Sequence, residues 1–144
     1  MEISLYHVMT GGLIPAIIRL LEKIYLAKQR CVFFSPLEER IASVDKMLWT
    51  FSTNAFIPHG DKNLGFCHRQ PIYLTDKFEN PNNAQVAVIV DTLDYKDYDN
   101  FEKVFIIFEE EEQGRGALLY SDLRNNEKNV IYWKQSTRGW EKVV

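Results

Sequence analysis

The sequence predicts an α/β fold built on a mostly parallel β-sheet. In the first half of the chain, apolar strand-like segments alternate with amphipathic helical segments, and Val86–Val90 is the most strand-prone run of the chain. Alternation of strands and helices is typical of βαβ units, whose strands pair in parallel and whose connections are right-handed. The chain has 144 residues, enough for one sizeable core, and residues 1–144 are expected to form a single domain.

The N-terminal part is expected to contain two strand–helix pairs. Ile3–Met9 alternates and indicates a strand, whereas Leu13–Lys28 carries apolar residues three and four positions apart and indicates a helix. Cys31–Phe34 is a continuous apolar run, as in a buried strand. A second helix is predicted to begin with Ser35 as N-cap and Pro36 at the first helical position. Its apolar face would comprise Leu37, Ile41, Val44 and Leu48.

The second half of the chain begins with the polar segment Thr50–Gln70, which is expected to be a long loop, and long loops are often functional. A short helix is predicted over Tyr98–Lys103, and a third helix from the acidic run Glu109–Glu112 to about Asn126, with its carboxylates at the positive end of the helix dipole. Further strands are predicted at Ile72–Leu74, Val86–Val90, Val104–Phe108 and Val130–Trp133, the last of which would end the sheet. The pattern leaves open whether the first two of these form a hairpin or lie parallel.

Composition and charge exclude several classes of protein. Hydrophobic residues make up 46% and charged residues 26% of the chain, which is typical of a globular protein and not of a disordered or collagen-like one. The net charge of −3 argues against a general polyanion binder, since tight binding to a DNA backbone needs many Lys and Arg residues. No signal peptide or membrane span is visible, and two cysteines cannot define a disulfide scaffold. We therefore expect a cytoplasmic protein with reduced thiols.

The motifs that carry chemistry are weak in this sequence. Thr10-Gly11-Gly12 lies between a strand and a helix, where α/β proteins bind phosphate, but it matches neither dinucleotide nor P-loop patterns, and a tight turn explains it better. The spacing of Cys31, His59, Cys67 and His68 fits neither a zinc site nor a Cys–His catalytic pair. His59 is expected to be a loop residue whose ring satisfies nearby backbone. No metal, cofactor or catalytic residue is predicted.

An apolar cluster near the end of the second helix gives a different signal. Trp49 is rotated by ~100° from Leu48 on a helix, so both cannot point to one narrow buried face. Phe56-Ile57-Pro58 is an apolar triplet in an otherwise polar segment. These residues predict either an exposed patch that binds a partner or rings that fold back onto the core.

These segments together resemble the chi subunit family of bacterial DNA polymerase III. The resemblance is carried by Leu48-Trp49, by the FIPHG segment at 56–60, by the PIYL segment at 71–74 and by the ending VIYWKQ with GWEK at 130–135 and 139–142, in the form seen in alphaproteobacteria. Residues 5–28 also resemble the first strand and helix of chi. The similarity covers nearly the whole chain in order. It implies a Rossmann-like three-layer sandwich with a mostly parallel central sheet and no bound nucleotide.

The resemblance implies a non-catalytic accessory protein of the clamp-loader assembly, with polymerase activity belonging to the holoenzyme. Chi subunits join the psi subunit, which tethers them to the clamp loader, to the acidic C-terminal tail of single-stranded-DNA-binding protein. DNA itself would be contacted only indirectly or weakly. By resemblance, Trp49 and Phe56 fall on the positions that hold psi, with Ile57 and Pro58 as neighbours.

The tail-binding segment departs from the family pattern. In the family, a C-terminal helix carries an A-R-x-x-aromatic-K pattern that contributes to tail binding. Tyr120 keeps the aromatic residue, but Ala117 and Ser121 stand where Arg and Lys are expected. This departure implies that the site has weakened or moved.

Nearby basic residues are expected to supply the missing charge. A tail that ends in an aromatic residue with a free carboxylate needs an apolar pocket and a guanidinium. Ile106 and Tyr120 are predicted to wall that pocket. Arg124 follows Tyr120 by four residues and would share its helical face, so it is the expected carboxylate partner. Arg115 and Lys128 are predicted to lie on the rim.

Two other interpretations stay open from the sequence. The strand–Gly-Gly–helix arrangement at residues 3–28 is compatible with a small-ligand or nucleotide-binding Rossmann-like protein, including an enzyme of that kind. Direct DNA binding is the third interpretation, and the net charge of −3 disfavours it.

Overall fold

A computed structural model of the chain describes residues 2–9, 12–50, 58–61, 70–94, 100–109, 113–126, 128–136 and 139–143. The described strands form one eight-stranded sheet in the order β3-β4-β2-β5-β6-β1-β7-β8. All neighbouring strands are parallel except the antiparallel pair β7–β8, so the predicted mostly parallel sheet is confirmed. The strands are β1 (Glu2–Val8), β2 (Cys31–Phe34), β3 (His59–Asp61), β4 (Ile72–Thr75), β5 (Val86–Val90), β6 (Lys103–Glu109), β7 (Val130–Ser136) and β8 (Gly139–Val143).

The described helices are α1 (Leu13–Leu26), α2 (Glu38–Thr50) and α3 (Gln113–Asn125), and they cover both faces of the sheet. In β2, Cys31 and Phe33 belong to the core under α1 and α2, whereas Val32 and Phe34 belong to the core on the α3 side. Burial on both faces explains why these strands are continuously apolar. None of the described helices combines the length and apolarity of a membrane-spanning segment.

The first strand–helix pair follows the prediction closely. Strand β1 ends at Val8, and α1 ends at Leu26, shortly before Lys28 adopts a left-handed conformation with φ of 59°. Gly12 directly precedes α1 with φ of 83°, a value that L side chains rarely adopt. The glycine at this position therefore serves the backbone of the turn, while Thr10 and Gly11 lie outside the described residues.

The second helix begins later than predicted. Helix α2 starts at Glu38, so Pro36 precedes the helix, and Leu37, expected on the buried face, is 42% exposed. Ser35 does not cap the first turn. Its Oγ accepts the N–H of Leu37 at 3.1 Å and donates to Oδ2 of Asp91 at 2.7 Å, which ties the end of β2 to the residue after β5. The rest of the predicted face is buried, at Ile41, Val44 and Leu48.

The segment predicted as a long loop contains the edge strand β3, which pairs in parallel with β4. A three-residue strand of sequence HGD carries no alternating apolar pattern, so no sequence signal marked it. The open question about the next two strands is also answered. Strand β2 lies between β4 and β5 and is parallel to both, so they do not form a hairpin.

Three predictions for the second half are wrong where the structure describes it. Residues 100–102 are not helical, and Lys103 begins β6 instead of ending a helix. Glu109 ends β6, and α3 has no acidic residue in its first turn, so Glu109 does not open the helix. Strand β7 does not end the sheet, because β8 pairs with it after Gly139, whose φ is 113°. All residues of β8 are exposed, so no buried pattern marked it.

Candidate functional site

The first candidate site lies where the C-terminal end of α2 meets β3. Trp49, in the last turn of α2, is 57% exposed, as expected for an aromatic residue off the buried face. Its ring packs edge-on against the imidazole of His59, with ring centroids 5.3 Å apart. The His59 side chain is fully buried, and its Nε2 lies 3.0 Å from Oδ1 of Asp45. Asp45 and Trp49 are one helical turn apart and therefore contact His59 from the same side.

This arrangement, the Trp49 patch, consists of Asp45, Trp49, Pro58 and His59. The prediction that His59 lies in a loop is corrected, because His59 lies in β3, and its ring contacts side chains of α2. Half-buried Pro58 directly precedes it. Phe56 and Ile57 lie outside the described residues.

The second candidate site lies on α3. Tyr120 is half-buried and packs edge-on against Tyr132 of β7, with centroids 5.7 Å apart and ring planes at 88°. The guanidinium of Arg124 lies 5.8 Å from the centroid of the Tyr120 ring, and its Nη1 donates to the Tyr120 hydroxyl in a long hydrogen bond of 3.4 Å. The structure thus brings together the two residues predicted to share a helical face.

A series of rings supports Tyr120 from the sheet. The hydroxyl of Tyr132 lies 3.1 Å from Nδ1 of buried His7, whose ring stacks on Phe108 at 5.0 Å. Burial raises the pKa of Tyr132. A Cβ atom at Gly116 would lie 2.5 Å from the Phe108 ring, so glycine lets α3 approach the sheet at this point. The position of Tyr120 therefore depends on the packed rings of Tyr132, His7 and Phe108 beneath it.

The predicted tail-binding residues do not form one surface. Arg115 and Arg124 are nine positions apart, about two and a half turns of an α-helix, so they lie on opposite flanks of α3. Lys128 lines a groove on the flank opposite Arg124, together with Leu119 and other residues. Ile106 is only 1% exposed and belongs to the core beneath α3. The expectation that Ile106 forms a pocket wall is therefore corrected, because it presents no surface to a ligand.

Strand β7 adds a cation that the sequence analysis did not single out. Lys134 is two residues beyond Tyr132, and alternation along a strand places both on the α3 side of the sheet. Glu141 is its directly paired residue on β8. The alternation of residues along β7 could have placed Lys134 on the same face of the sheet as Tyr132. We call Tyr120, Arg124, Tyr132 and Lys134 the Tyr120–Arg124 flank.

Groups that carry catalysis or bind metals are scarce in the described part of the chain. No three or more of its His, Cys, Asp and Glu side chains are grouped to hold a metal ion. Cys31 is buried, and burial raises the pKa of its thiol, which favours the unreactive protonated form. Cys67 and His68 lie outside the described residues.

Comparison with known proteins identifies the family. A family model described as DNA polymerase III chi subunit, HolC, matches residues 1–125. The chain belongs to the DNA polymerase III chi subunit family. It is also 34% identical over 143 residues to the probable DNA polymerase III subunit chi of Rickettsia prowazekii (strain Madrid E), an alignment that covers 99% of this chain and 83% of that protein. Membership of the chi family gives the chain an accessory role in DNA replication.

The helices of both candidate sites lie within the region that the chi family model matches. Trp49, Tyr120 and Arg124 fall inside residues 1–125, and the alignment with the Rickettsia protein extends over nearly the whole chain. The resemblance identified from short segments of the sequence is therefore confirmed at the level of the family.

Proposed function

We propose that this chi-family chain is a non-catalytic adaptor of the DNA polymerase III holoenzyme in the bacterial cytoplasm. It joins the psi subunit of the clamp loader to the acidic C-terminal tail of single-stranded-DNA-binding protein. Its fold is a Rossmann-like three-layer sandwich formed by one domain over residues 1–144, and helices on both faces of a mostly parallel sheet support this classification.

The observation that carries the proposal is the exposed indole of Trp49. A tryptophan that is 57% exposed leaves a large apolar surface in water, and such residues are enriched among the hot spots of protein interfaces. Its ring packs against the buried imidazole of His59, whose Nε2 lies 3.0 Å from Oδ1 of Asp45. Little rotamer freedom remains to be lost on binding, which favours affinity. We assign psi binding to Trp49, Phe56, Ile57 and Pro58.

The tail is assigned to the Tyr120–Arg124 flank. Lys128 lines the groove on the opposite flank of α3, but Asp94 and Asp122 line the same groove and would repel an acidic peptide. On the Tyr120 side, Arg124 projects beside an aromatic ring, and a guanidinium binds a terminal carboxylate in a bidentate manner. The contributions of Arg115 and Lys128 are then limited to long-range attraction.

The proposal is tested by measuring psi binding to the Trp49→Ala variant by calorimetry. Loss of a central aromatic residue is worth ~2 kcal/mol or more, so we expect affinity to fall about 30-fold. The matched control is Leu118→Ala, which removes an apolar side chain that is 67% exposed on α3. Folding of both variants is checked by urea unfolding, and both are expected to stay folded because the two side chains are exposed.

Equal affinities for Trp49→Ala and the wild type would reject the assignment of psi to this patch. If Trp49→Ala unfolds and binding follows only the folded fraction, Trp49 is a structural residue and the proposal also fails. A 30-fold loss restricted to Trp49→Ala supports an adaptor that holds psi through α2.

A further inference from the structure

An aromatic surface lies on the side of the sheet away from α3, where α1 leaves β8 uncovered. Tyr6 of β1 and Trp140 of β8 stack with centroids 4.8 Å apart and ring planes at 25°. Because Tyr6 packs against the core under α1, Tyr6 and Trp140 lie on the α1 face of the sheet. Trp140 is 37% exposed although it is stacked. One face of a large ring system is thus presented to solvent at the edge of the sheet.

Strand β7 extends this surface with a third ring. Trp133 is the Cα partner of Tyr6 in the pairing of β1 with β7. Because its neighbour Tyr132 belongs to the α3-side core, Trp133 lies on the opposite face, the face of Tyr6 and Trp140. Lys142 is the paired residue of Trp133 on β8 and shares that face. We call Tyr6, Trp133 and Trp140 the aromatic platform.

Cations border the aromatic platform. Arg19 and Lys23 are exposed on successive turns of α1 and line one wall of a groove of about 280 Å³, whose other wall includes Tyr6 and Trp140. No carboxylate is among the described residues that line this groove. The chain as a whole has a net charge of −3, so the positive groove is a local departure from the average charge.

We propose that the aromatic platform and its groove bind single-stranded DNA. Base faces stack on the exposed ring of Trp140 and its neighbours, as on the stacking surfaces of other single-strand-binding proteins. Arg19 and Lys23 are four residues apart, which places their Cβ atoms ~5–6 Å from each other, a spacing comparable with that of successive phosphates along an extended strand. Lys142 supplies a third positive charge beside Trp133.

The combination of rings and charges favours a single strand over other anions. A duplex hides its base faces inside the stack, so it would use the cations and leave the platform uncovered. An acidic peptide would likewise pair with Arg19 and Lys23 but has no repeating flat group for the platform. A mononucleotide has one base to stack, whereas Trp140, which covers one face of Tyr6, and Trp133 offer two separate indoles. DNA is the single strand to expect because the chi family acts in replication.

This site is independent of the two sites assigned to psi and the tail. It lies on the α1 side of the sheet, whereas the Tyr120–Arg124 flank lies on the α3 side. Strands β1, β7 and β8 form one end of the sheet, and β3, beside the Trp49 patch, forms the other end. Variants in the aromatic platform are therefore expected to keep psi and tail binding, and failure here is distinguishable from failure of the adaptor role.

The test measures binding of the full chain to a fluorescently labelled 15-nucleotide oligo-dT by anisotropy at about 50 mM salt. Stacking of one base on an aromatic residue is worth at least about a fivefold change in affinity, so Trp140→Ala should weaken binding by that factor or more. Trp140→Phe keeps a π-face and should retain most of the affinity. Circular dichroism checks that both variants are folded.

The second part of the test reverses the charges that border the groove. Arg19→Glu with Lys23→Glu removes two phosphate contacts, so the slope of log K against log salt should become shallower by about 1.4. The matched control is Lys46→Glu with Lys77→Glu, which changes the net charge equally at two exposed positions at the β4 end of the sheet. The control is expected to keep the wild-type slope.

Four results would overturn the proposal. They are no binding of oligo-dT by the wild type, equal losses in the two charge-reversed pairs, unchanged affinity of folded Trp140→Ala, and equal affinity for thymidine monophosphate or for an acidic peptide. Absence of binding by the wild type would show that there is no site. Equal losses in the two charge-reversed pairs would reduce the binding to general electrostatics. Either of the other two results would rule out a stacked single strand as the ligand.

Discussion

The Trp49 patch and the Tyr120–Arg124 flank differ although their helices are alike in sequence pattern. In both helices, the aromatic residue directly follows a buried leucine: Trp49 follows Leu48, and Tyr120 follows Leu119. Both rings are therefore rotated by ~100° from the buried stripe of their helix. Trp49 is 57% exposed, whereas Tyr120 is half-buried.

The difference comes from the strand beside each helix. Next to α2 lies β3, a three-residue edge strand whose His59 packs edge-on against the indole. Next to α3 lies β7, seven residues long, whose Tyr132 packs against the ring of Tyr120. One site thus offers an apolar surface, and the other offers a smaller apolar surface with a cation. We infer that the neighbouring strand, more than the helix sequence, decides what kind of partner each helix can bind.

The largest effect that separates the two sites is expected from Gly116→Ala. The added Cβ would lie 2.5 Å from the Phe108 ring, so α3 must shift away from the sheet. Overpacking of this kind costs ~1–3 kcal/mol, which urea unfolding measures. Because α3 carries Tyr120 and Arg124, tail-peptide binding should fall together with stability, while psi binding to the folded protein should not change.

Gly114→Ala is the matched control for this prediction. A Cβ at Gly114 meets nothing within 4 Å, and alanine favours a helix over glycine by about 1 kcal/mol. Gly114→Ala should therefore keep or raise stability. Destabilisation by both variants would contradict the role given to the close approach at Gly116.

The next effect is on the tail site alone. Arg124→Ala should weaken binding of an acidic tail peptide about tenfold, since a hydrogen bond to a charged group contributes ~1.5–3 kcal/mol and this side chain is exposed. Arg124→Lys keeps the positive charge but loses the bidentate geometry. Its affinity for the tail peptide should therefore lie between those of the wild type and Arg124→Ala. Calorimetry at two salt concentrations measures both, and wild-type affinity should decrease as salt rises.

Arg115→Ala serves as the control on the other flank of α3. It removes one positive charge at an exposed position of the same helix, and we expect a small change in tail affinity. Equal losses for Arg115→Ala and Arg124→Ala would show that α3 attracts the tail only through its overall charge. Undiminished binding by Arg124→Ala would remove Arg124 from the site.

The smallest effect is expected from Asp45→Asn in the Trp49 patch. The Asp45 side chain is 40% exposed, and a contact between such an exposed carboxylate and the His59 ring contributes ~1 kcal/mol or less. Psi affinity should fall no more than about fivefold, because the indole stays in place with a less rigid support. Lys46→Gln at the adjoining exposed position is the control. A loss as large as that of Trp49→Ala would mean that psi contacts Asp45 directly.

Much of the fold could be predicted because burial leaves a clear pattern. Continuous apolar runs marked β2 and β5, and apolar residues three and four apart marked α1. The errors fall where that pattern is absent. Strand β8 is fully exposed, β3 has the sequence HGD, and the acidic residue Glu109 continues β6. Hydrogen bonding to a neighbouring strand defines these segments, and a local sequence does not encode its neighbour.

The candidate sites show the same division. The helical spacing of Tyr120 and Arg124 was sufficient to place them together, because residues four apart share a face of any helix. The spacing of Arg115 and Lys128 gave no such constraint, and the structure puts them on the flank opposite Arg124. Ile106 was chosen for its apolar character, which does not distinguish a pocket wall from a core position.

By itself, the sequence determined the α/β class, the helical faces and the membership of the chi family, because these depend on local periodicity and on short ordered segments. Only the tertiary structure decided that His59 supports Trp49 and that Tyr6 stacks on Trp140. Tyr6 and Trp140 are 134 positions apart. Contacts of this kind depend on strand order and register, which the long-range pairing of the sheet fixes and which no local pattern specifies.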